Sequence, residues 1–302
     1  MVLALGLVAF IPAHANLVIN ASFDSTITSD ANSSLIEATI NQAIAQFEAE
    51  ITNNITVSIA FGEMGSGLGQ SSTYYGSLGY NSFHAALAAN SSGDATDLAA
   101  LASLPGGSTN PVDGGSNINL TTANLRALGF NSLPPSGNPD STISVNTSIT
   151  NYAGTTYNPS FYDLQSVVQH EMDEALGIGS GLGGGTGPWV EDLFRYSAPG
   201  VRSYTTSSSA TAYFSVDGGV TNIIDFNQSG GGSDYNDWKG SGTPHVQDAY
   251  GTPGAAPVWG TPEQTALDAF GYNLAPVATP EPSTVLLTAL GGIALLLRRR
   301  KA

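Results

Sequence analysis

One helix constrains the fold of this chain more than any other segment. Hydrophobic residues recur at helical spacing over residues 161–176, and the pattern stops at Gly177, where the glycine-rich stretch GIGSGLGGGTGP begins. A helix with such an apolar face needs a second layer of the fold to cover it. Polar residues interrupt the apolar pattern from Gln169 to Glu171, so we expect this part of the helix to face a cleft.

The other predicted elements of the body are short and of both kinds. Together with the central helix they predict an α+β fold, with an N-terminal helix and strand subdomain and a C-terminal part rich in strands and loops. We assign residues 16–274 to one domain. Helices are predicted over 34–51, 80–89, 98–104 and 262–270, and strands over 55–61, 142–147, 211–216 and 222–226.

The composition excludes several classes of function. The 302 residues include no cysteine, which excludes disulfide bonds, thiolate metal ligands and cysteine nucleophiles. A metal ion must therefore be held by His, Asp or Glu. Between residues 16 and 279, four basic residues stand against 23 acidic ones, a net charge of −19. A body this acidic repels nucleic acid and anionic lipid, so we expect neither as its partner.

Residues 1–15 have the pattern of a signal peptide. Residues 1–10 read MVLALGLVAF, an apolar run of the length expected for the hydrophobic region of such a peptide. Ala13-His14-Ala15 then supplies the small residues that precede a cleavage site. The mature chain is therefore predicted to begin near Asn16.

The other end of the chain combines three features. Residues 275–282 form a linker that ends in Pro280-Glu281-Pro282, residues 283–297 are apolar, and residues 298–302 are mostly basic. As a helix, the apolar segment spans about 22 Å, so its flanking arginines must snorkel for it to cross a hydrocarbon core of about 30 Å. The basic end is expected to stay in the cytoplasm, which places the body outside.

This combination resembles the PEP-CTERM sorting tail of Gram-negative bacteria. The resemblance implies that an exosortase-type enzyme processes the tail during export. It also implies that the membrane holds the protein through residues 283–297 until that processing. The expected location of the body is then the cell surface or the extracellular matrix.

The polar stretch of the central helix has the spacing of a metal site. His170 and Glu174 lie one turn apart and about 40° from each other around the helix, so both can reach one ion. Glu171 lies about 100° from His170, where it can hold a water beside that ion. The pattern follows the H-E-x-x-H motif of zinc peptidases, with Glu174 in the place of the second histidine. The alternative is a polar pair on a solvated helix face.

A catalytic zinc generally has three protein ligands, so the motif leaves one to be found. The predicted third ligand is His245, which lies in a loop far downstream, and its rival is Asp192. Glu191 and Asp248 are further alternatives. His84 lies in a predicted helix and is expected to be a core or surface histidine.

Other residues of the C-terminal half have open roles. In the absence of a metal, Asp192 is expected to pair with Arg195 or Arg202. Zinc-assisted hydrolysis also needs a donor for the developing oxyanion, and the candidates are Tyr196, Tyr250 and Arg195.

Several segments carry a resemblance to a known family. They are the predicted helix over 34–51, the strand over 55–61, the edge-like strand DSTISVNTS over 140–148, the helix over 161–176, and the runs DLFRYSAPGVR (192–202), YFSVDGG (213–219) and SDYNDW (233–238). In this order they look like secreted bacterial zincin-like metalloproteases, many of which also carry PEP-CTERM tails. The resemblance covers roughly residues 20–274. It implies a zincin-like α+β fold, a zinc ion and hydrolysis of peptide bonds in a protein or peptide substrate, with Glu171 as the catalytic base.

Alternative functions fit the same sequence. One is a catalytically inactive surface or matrix protein that kept a zincin scaffold. Another is a carbohydrate-binding module associated with exopolysaccharide, for which Trp238 and Tyr235 are the expected exposed aromatic residues. Asp217, Asp234 and Asp237 lie in glycine-rich turns and are weak candidates for Ca²⁺ ligands, the alternative being ordinary turn chemistry.

Overall fold

The computed structural model describes residues 16–229, 235–240 and 242–276. It has the predicted α+β character. The helices are α1 (Ser25–Thr28), α2 (Ser33–Glu50), α3 (Tyr80–Asn90), α4 (Ala95–Ser103), α5 (Thr122–Ala127), α6 (Leu164–Leu176) and α7 (Thr261–Ala269). The strands are β1 (Val18–Phe23), β2 (Thr56–Glu63), β3 (Gly69–Thr73), β4 (Tyr75–Gly79), β5 (Asn117–Thr121), β6 (Ser141–Val145), β7 (Thr150–Asn151), β8 (Tyr162–Asp163), β9 (Arg195–Ala198), β10 (Val201–Arg202), β11 (Tyr213–Phe214) and β12 (Ile224–Asp225).

The main sheet and two long helices form the centre of the fold. Strands β1, β2 and β6 are parallel, and β3 pairs antiparallel with β6 at the edge, in the order β1-β2-β6-β3. Helices α2 and α6 contact each other as well as this sheet. In α2 the residues that recur every three or four positions, Ile36, Ile40, Ile44 and Phe47, are all buried, as its amphipathic pattern predicts.

Helix α6 is the predicted central helix, with a later start. The side chain of Asp163 accepts a hydrogen bond from the backbone N–H of Ser166 and caps the first turn. Tyr162 and Asp163 form β8, which pairs with β7, so they are not available to the helix. The helix ends as predicted at Gly177, whose φ of 140° lies in the region that favours glycine.

The C-terminal part forms a smaller antiparallel sheet in the order β10-β9-β11-β12. The rings of Phe214 in β11 and of Phe226, directly after β12, pack at a tilt against Trp238, at ring-centroid distances of 5.8 and 5.2 Å. Trp238 also bridges to Phe226 and to Asp248 through the backbone. These contacts fix the segment that contains Asp237 and the loop around residue 246 next to α6.

The last described residues pair with the end of α2. The backbone N–H of Ala275 donates to the carbonyl of Glu50 (2.7 Å), and that of Thr52 donates to the carbonyl of Asn273 (2.8 Å). Leu274 forms an isolated bridge with Ile51. The segment that leads to the C-terminal tail therefore starts from a fixed point on the body.

Several predicted elements are shorter than expected or displaced. The predicted strands over 211–216 and 222–226 are reduced to the two-residue strands β11 and β12. The helix predicted over 98–104 begins at Ala95, because the Asp94 side chain accepts from the N–H groups of Thr96 and Asp97. Strands β1, β3, β4 and β5 and helix α5 have no counterpart among the elements predicted from the sequence.

Both ends of the chain lie outside the described residues. This applies to the predicted signal peptide (1–15), to Pro280-Glu281-Pro282, to the apolar segment over 283–297 and to the basic end. Over the three described ranges, none of the helices combines the length and the apolar character needed to cross a bilayer.

Candidate metal centre

Three side chains that can ligate a metal meet where α6 faces the C-terminal part. His170 and Glu174 from α6 and Asp237 from the segment before Trp238 each offer a ligand atom, and these atoms lie within 4.8 Å of one another. His170 Nε2 is 3.9 Å from Glu174 Oε1 and 3.7 Å from Asp237 Oδ1. Two ligands of a tetrahedral zinc lie about 3.3–3.6 Å apart, since each bond is about 2.0–2.2 Å. The donor types and their spacing therefore fit a zinc ion after a small contraction.

The ring of His170 is held in the orientation that a metal ligand needs. Its Nδ1 lies 2.9 Å from the carbonyl oxygen of Val246. A carbonyl only accepts hydrogen bonds, so Nδ1 carries the proton and Nε2 faces the two carboxylates. A second ring nitrogen bonded to a carbonyl is the usual support for a metal-bound histidine.

Neutral donors hold the two carboxylates in place. Ser71 Oγ donates to Glu174 Oε2 (2.6 Å), and the Asn236 amide donates to Glu174 Oε1 (3.1 Å) and to Asp237 Oδ1 (2.9 Å). The amide of Gln247 also donates to Asp237 Oδ1 (2.9 Å). Within the part of the chain that the structure describes, the only lysine or arginine ion pair joins Arg126 to Asp140, away from this cluster. A divalent cation would balance its negative charge.

Glu171 lies beside the three candidate ligands and faces the edge strand. Its side chain is buried, and the residue is only 5% exposed. A methyl group added to Gly69 of β3 would collide with its carboxylate, so the strand backbone approaches Glu171 closely at this point. Glycine is the residue that permits this approach.

The surroundings of His170 and Glu171 shift the pKa values of both residues. Burial and then the negative charge of Glu174 raise the pKa of Glu171 to about 9, against the opposing effect of His170. Burial lowers the pKa of His170, but the charges of Asp237, Glu171 and Glu174 outweigh it and raise the pKa to about 10. Without a metal, the cluster therefore holds protons at neutral pH.

The cluster opens into a cleft of about 710 Å³. It is lined by β3 and by residues of the segment over 244–252. Tyr75 and Trp189, whose rings are 4.8 Å apart, line the cleft together with Leu68 and Tyr162. The polar stretch of α6 thus faces a cleft, as the sequence predicts, and not a solvated surface.

His245 and Asp192, the two predicted candidates for the third ligand, lie outside the cluster. His245 lines the cleft, but it is not among the ligand atoms that lie within 4.8 Å of one another. Asp192 accepts hydrogen bonds from Ser180 Oγ (2.5 Å) and from the backbone N–H groups of Gly181 (3.0 Å) and Trp189 (2.8 Å). Asp192 therefore closes the glycine-rich loop after α6 through hydrogen bonds, instead of forming the predicted ion pair with an arginine.

The remaining alternatives also have other surroundings. Asp248 accepts from the backbone N–H of His245 and caps that turn (2.9 Å). Glu191 is buried but does not line the cleft. His84 packs beside Tyr80, with ring centroids 6.3 Å apart. The proposed oxyanion donors Tyr196, Tyr250 and Arg195 are not among the residues that line the cleft.

Arg195 stabilises the segment that carries Asp237. Its Nη1 donates to the carbonyl of Tyr235 (2.6 Å), and its guanidinium lies 4.1 Å from the centre of the Phe226 ring. Because Tyr235 comes two residues before Asp237, this bond helps to position the carboxylate. From the sequence, Asp237 is predicted only as one of three turn aspartates, and the signal that sets it apart is its place in the SDYNDW run of the family resemblance.

The predictions for Trp238 and for the turn aspartates can also be compared with the structure. Trp238 is fully buried and donates from Nε1 to Glu263 Oε1 (3.1 Å), so the prediction of an exposed ring is wrong. Asp217 accepts bonds from Ser215 Oγ and from the N–H and hydroxyl of Thr221, which is turn chemistry. Asp234 lies outside the described residues.

Comparison with known proteins identifies the C-terminal tail. Residues 278–301 match the family model of the PEP-CTERM protein-sorting motif. No curated protein and no solved structure matches the chain. The predicted sorting tail is thus confirmed, and it indicates an exported protein that an exosortase-type enzyme sorts to the cell surface.

Proposed function

We propose that the protein is an exported zinc-dependent peptidase with a zincin-like fold. The observation that carries this proposal is the meeting of His170, Glu174 and Asp237 beside Glu171, in a cleft walled by an antiparallel edge strand. In this proposal Asp237 replaces His245 and Asp192 as the third ligand, because only Asp237 joins the cluster among the described residues. The stacking of α2 and α6 on a sheet that ends in β3 supports the fold assignment.

In this proposal each residue of the site has a separate role in hydrolysis. Zinc held by His170, Glu174 and Asp237 would polarise the scissile carbonyl and acidify a water. Glu171 takes the proton of that water and passes it to the leaving amine. A nearby cation lowers the pKa of Glu171, which makes it available as a base. The two carboxylate ligands neutralise more of the ion's charge than imidazoles do, so the water is less acidic than on a site with three histidines.

The cleft favours an extended peptide as the substrate. Within the described residues β3 pairs only with β6, so its other edge is available for backbone hydrogen bonds. Adding a strand to such an edge is a common mode of peptide recognition. The rings of Tyr75 and Trp189, which line the cleft, offer an apolar surface to a substrate side chain.

Metal analysis of the purified full-length protein tests the proposal. We expect about one zinc per chain in the wild type and a loss of bound zinc in His170→Ala, Glu174→Ala and Asp237→Ala. His245→Ala is the matched control, since it removes an imidazole from the same cleft and should keep the zinc. Full zinc occupancy in the His170 and Asp237 variants would contradict the assignment of the site.

An inactive zincin scaffold is the second candidate function. The observation that favours it is the presence of two carboxylates among three candidate ligands, which weakens the activation of water. This candidate is supported if the protein binds zinc through the same three residues but cleaves no peptide in a mixed peptide library.

Membrane attachment through residues 283–297 before processing also stays a prediction.

A further inference from the structure

A second acidic cluster lies at the contact between α4 and α7, outside the cleft. Asp94, Asp97 and Asp268 each place a carboxylate oxygen within 4.8 Å of the other two. Asp94 is the exposed N-cap of α4, Asp97 belongs to its first turn, and Asp268 lies near the end of α7. None of the three lines the cleft of the candidate metal centre.

Each of the two buried carboxylates has an oxygen without a partner. Asp97 is fully buried and Asp268 is 2% exposed. Asp97 Oδ2 accepts from Ser92 Oγ (2.7 Å) and from the N–H of Gly93 (2.9 Å), but Asp97 Oδ1 and Asp268 Oδ1 have no hydrogen-bond partner within the described residues. A buried carboxylate oxygen without a partner is strongly unfavourable, and three adjacent carboxylates increase the penalty.

No lysine or arginine of the described residues balances this charge. The ion pairs among the described residues involve Arg126, Asp140 and the His170 cluster, and none includes these three aspartates. The described side chains around the three aspartates therefore include no ion-pair partner for them.

We propose that Asp94, Asp97 and Asp268 bind a calcium ion that joins α4 to α7. The donors are all carboxylate oxygens, which favours a hard cation over zinc. Calcium accepts six to eight oxygen ligands in flexible geometry, and the exposed Asp94 leaves room for water to complete them. An exported protein meets calcium at the concentrations that weaker extracellular sites use, about 10⁻⁴–10⁻³ M.

The consequence for α7 gives the site a structural role. Glu263 at the start of α7 accepts from Trp238 Nε1 (3.1 Å) and from the backbone N–H of Gln247 (3.2 Å). Both donors neighbour residues of the candidate metal centre, namely Asp237 and Val246. Calcium at the other end of α7 would fix this helix against α4 without contributing a ligand to the zinc site.

Thermal unfolding of the full-length protein tests the calcium site. Calcium is first removed by dialysis, zinc is held at a constant concentration, and calcium chloride is then titrated. In the wild type we expect the unfolding midpoint to rise by about 5–10 °C at a calcium concentration a hundredfold above Kd. The same concentration of magnesium should produce a much smaller shift, because magnesium demands stricter octahedral geometry.

Two isosteric variants separate calcium binding from simple packing. Asp268→Asn relieves the repulsion, so without calcium it should unfold at the same temperature as the wild type or higher, while the calcium shift disappears. Asp94→Asn keeps a good N-cap and should also lose the shift. Asp113→Asn, an exposed aspartate outside the cluster, is the control and should keep the full shift.

Three results would overturn the proposal. They are a wild-type midpoint that does not respond to calcium, an unchanged calcium shift in both cluster variants, and an equal shift with magnesium. The zinc content is measured in the same samples, so a failure of the zinc assignment is recognised separately.

Discussion

The described residues of the molecule contain two clusters of three ligand-type side chains, and the clusters differ in what surrounds them. The cluster of His170, Glu174 and Asp237 includes an imidazole, has neutral donors on both carboxylates and opens into the cleft. The cluster of Asp94, Asp97 and Asp268 has carboxylates alone, retains buried oxygens without partners and lies between two helices. The donor types and access to a cleft, more than the amount of charge, distinguish a candidate catalytic centre from a candidate structural one.

The largest effect expected at either cluster is the loss of catalysis in Glu171→Gln. The amide fills the same space but accepts no proton, so we expect kcat/KM for peptide cleavage to fall by about 10²–10⁴. Zinc content should stay the same, since Glu171 is not one of the three candidate ligands. Peptidase assays and metal analysis of the same preparation measure both quantities. Glu37→Gln on α2, outside the cleft, should keep wild-type activity, and an active Glu171→Gln protein would end the assignment of Glu171 as the base.

The next effect is a steep pH dependence of zinc affinity. With pKa values of about 10 and 9, His170 and Glu171 both hold a proton at pH 7 in the metal-free protein. Zinc needs the free Nε2 and lowers the pKa of Glu171, so its binding releases protons and its affinity rises with pH. We expect the affinity to rise between pH 6 and 8, by about tenfold per pH unit for one proton and about a hundredfold for two.

Titrations with a competing chelator at several pH values measure this slope. The Glu171→Gln variant supplies the control, because it removes one of the two titrating groups and should reduce the slope by about one proton. A wild-type affinity that is constant between pH 6 and 8 would show that the cluster does not hold these protons.

The smallest of these effects is expected for Gly69→Ala, which affects the candidate metal centre through Glu171 and leaves the acidic cluster of α4 and α7 unchanged. The added methyl group would meet the Glu171 carboxylate and lie 2.9 Å from Val167 Cγ1. We expect a loss of about 1–3 kcal/mol in the free energy of unfolding and a fall in kcat/KM of about tenfold or more, because Glu171 is displaced. The calcium shift should be unaffected. Gly106→Ala, where the methyl group meets open space, is the control, and equal behaviour of the two variants would refute the close approach of β3.

The sequence predicted the parts of this structure that carry a periodic pattern. Helices α2 and α6 bury one face each, and Gly177 ends α6 where the pattern stops. The sequence also predicted that His170, Glu171 and Glu174 lie close together, because their proximity depends only on helix geometry. These features are local, so one sequence is enough to find them.

The parts that depend on tertiary contacts were not predictable in this way. Strand β3 reads GQSST, a polar run without alternation, and it becomes a strand by pairing with β6. Helix α5 is buried on almost all sides, so it has no amphipathic pattern. Asp237 reaches α6 because Trp238 packs into the core of the small sheet, which no spacing in the sequence reveals.

The pairing of residues 273–275 with the end of α2 limits how the sorting enzyme can work. From Leu274, which is fixed on the body, to Pro280, the chain can reach at most about 22 Å when fully extended. An enzyme that recognises Pro280-Glu281-Pro282 must therefore approach within that distance of the folded surface around Leu274. The folded body therefore limits steric access to its own processing site. If the body folds before export is complete, only enzymes that fit beside it would reach the tail.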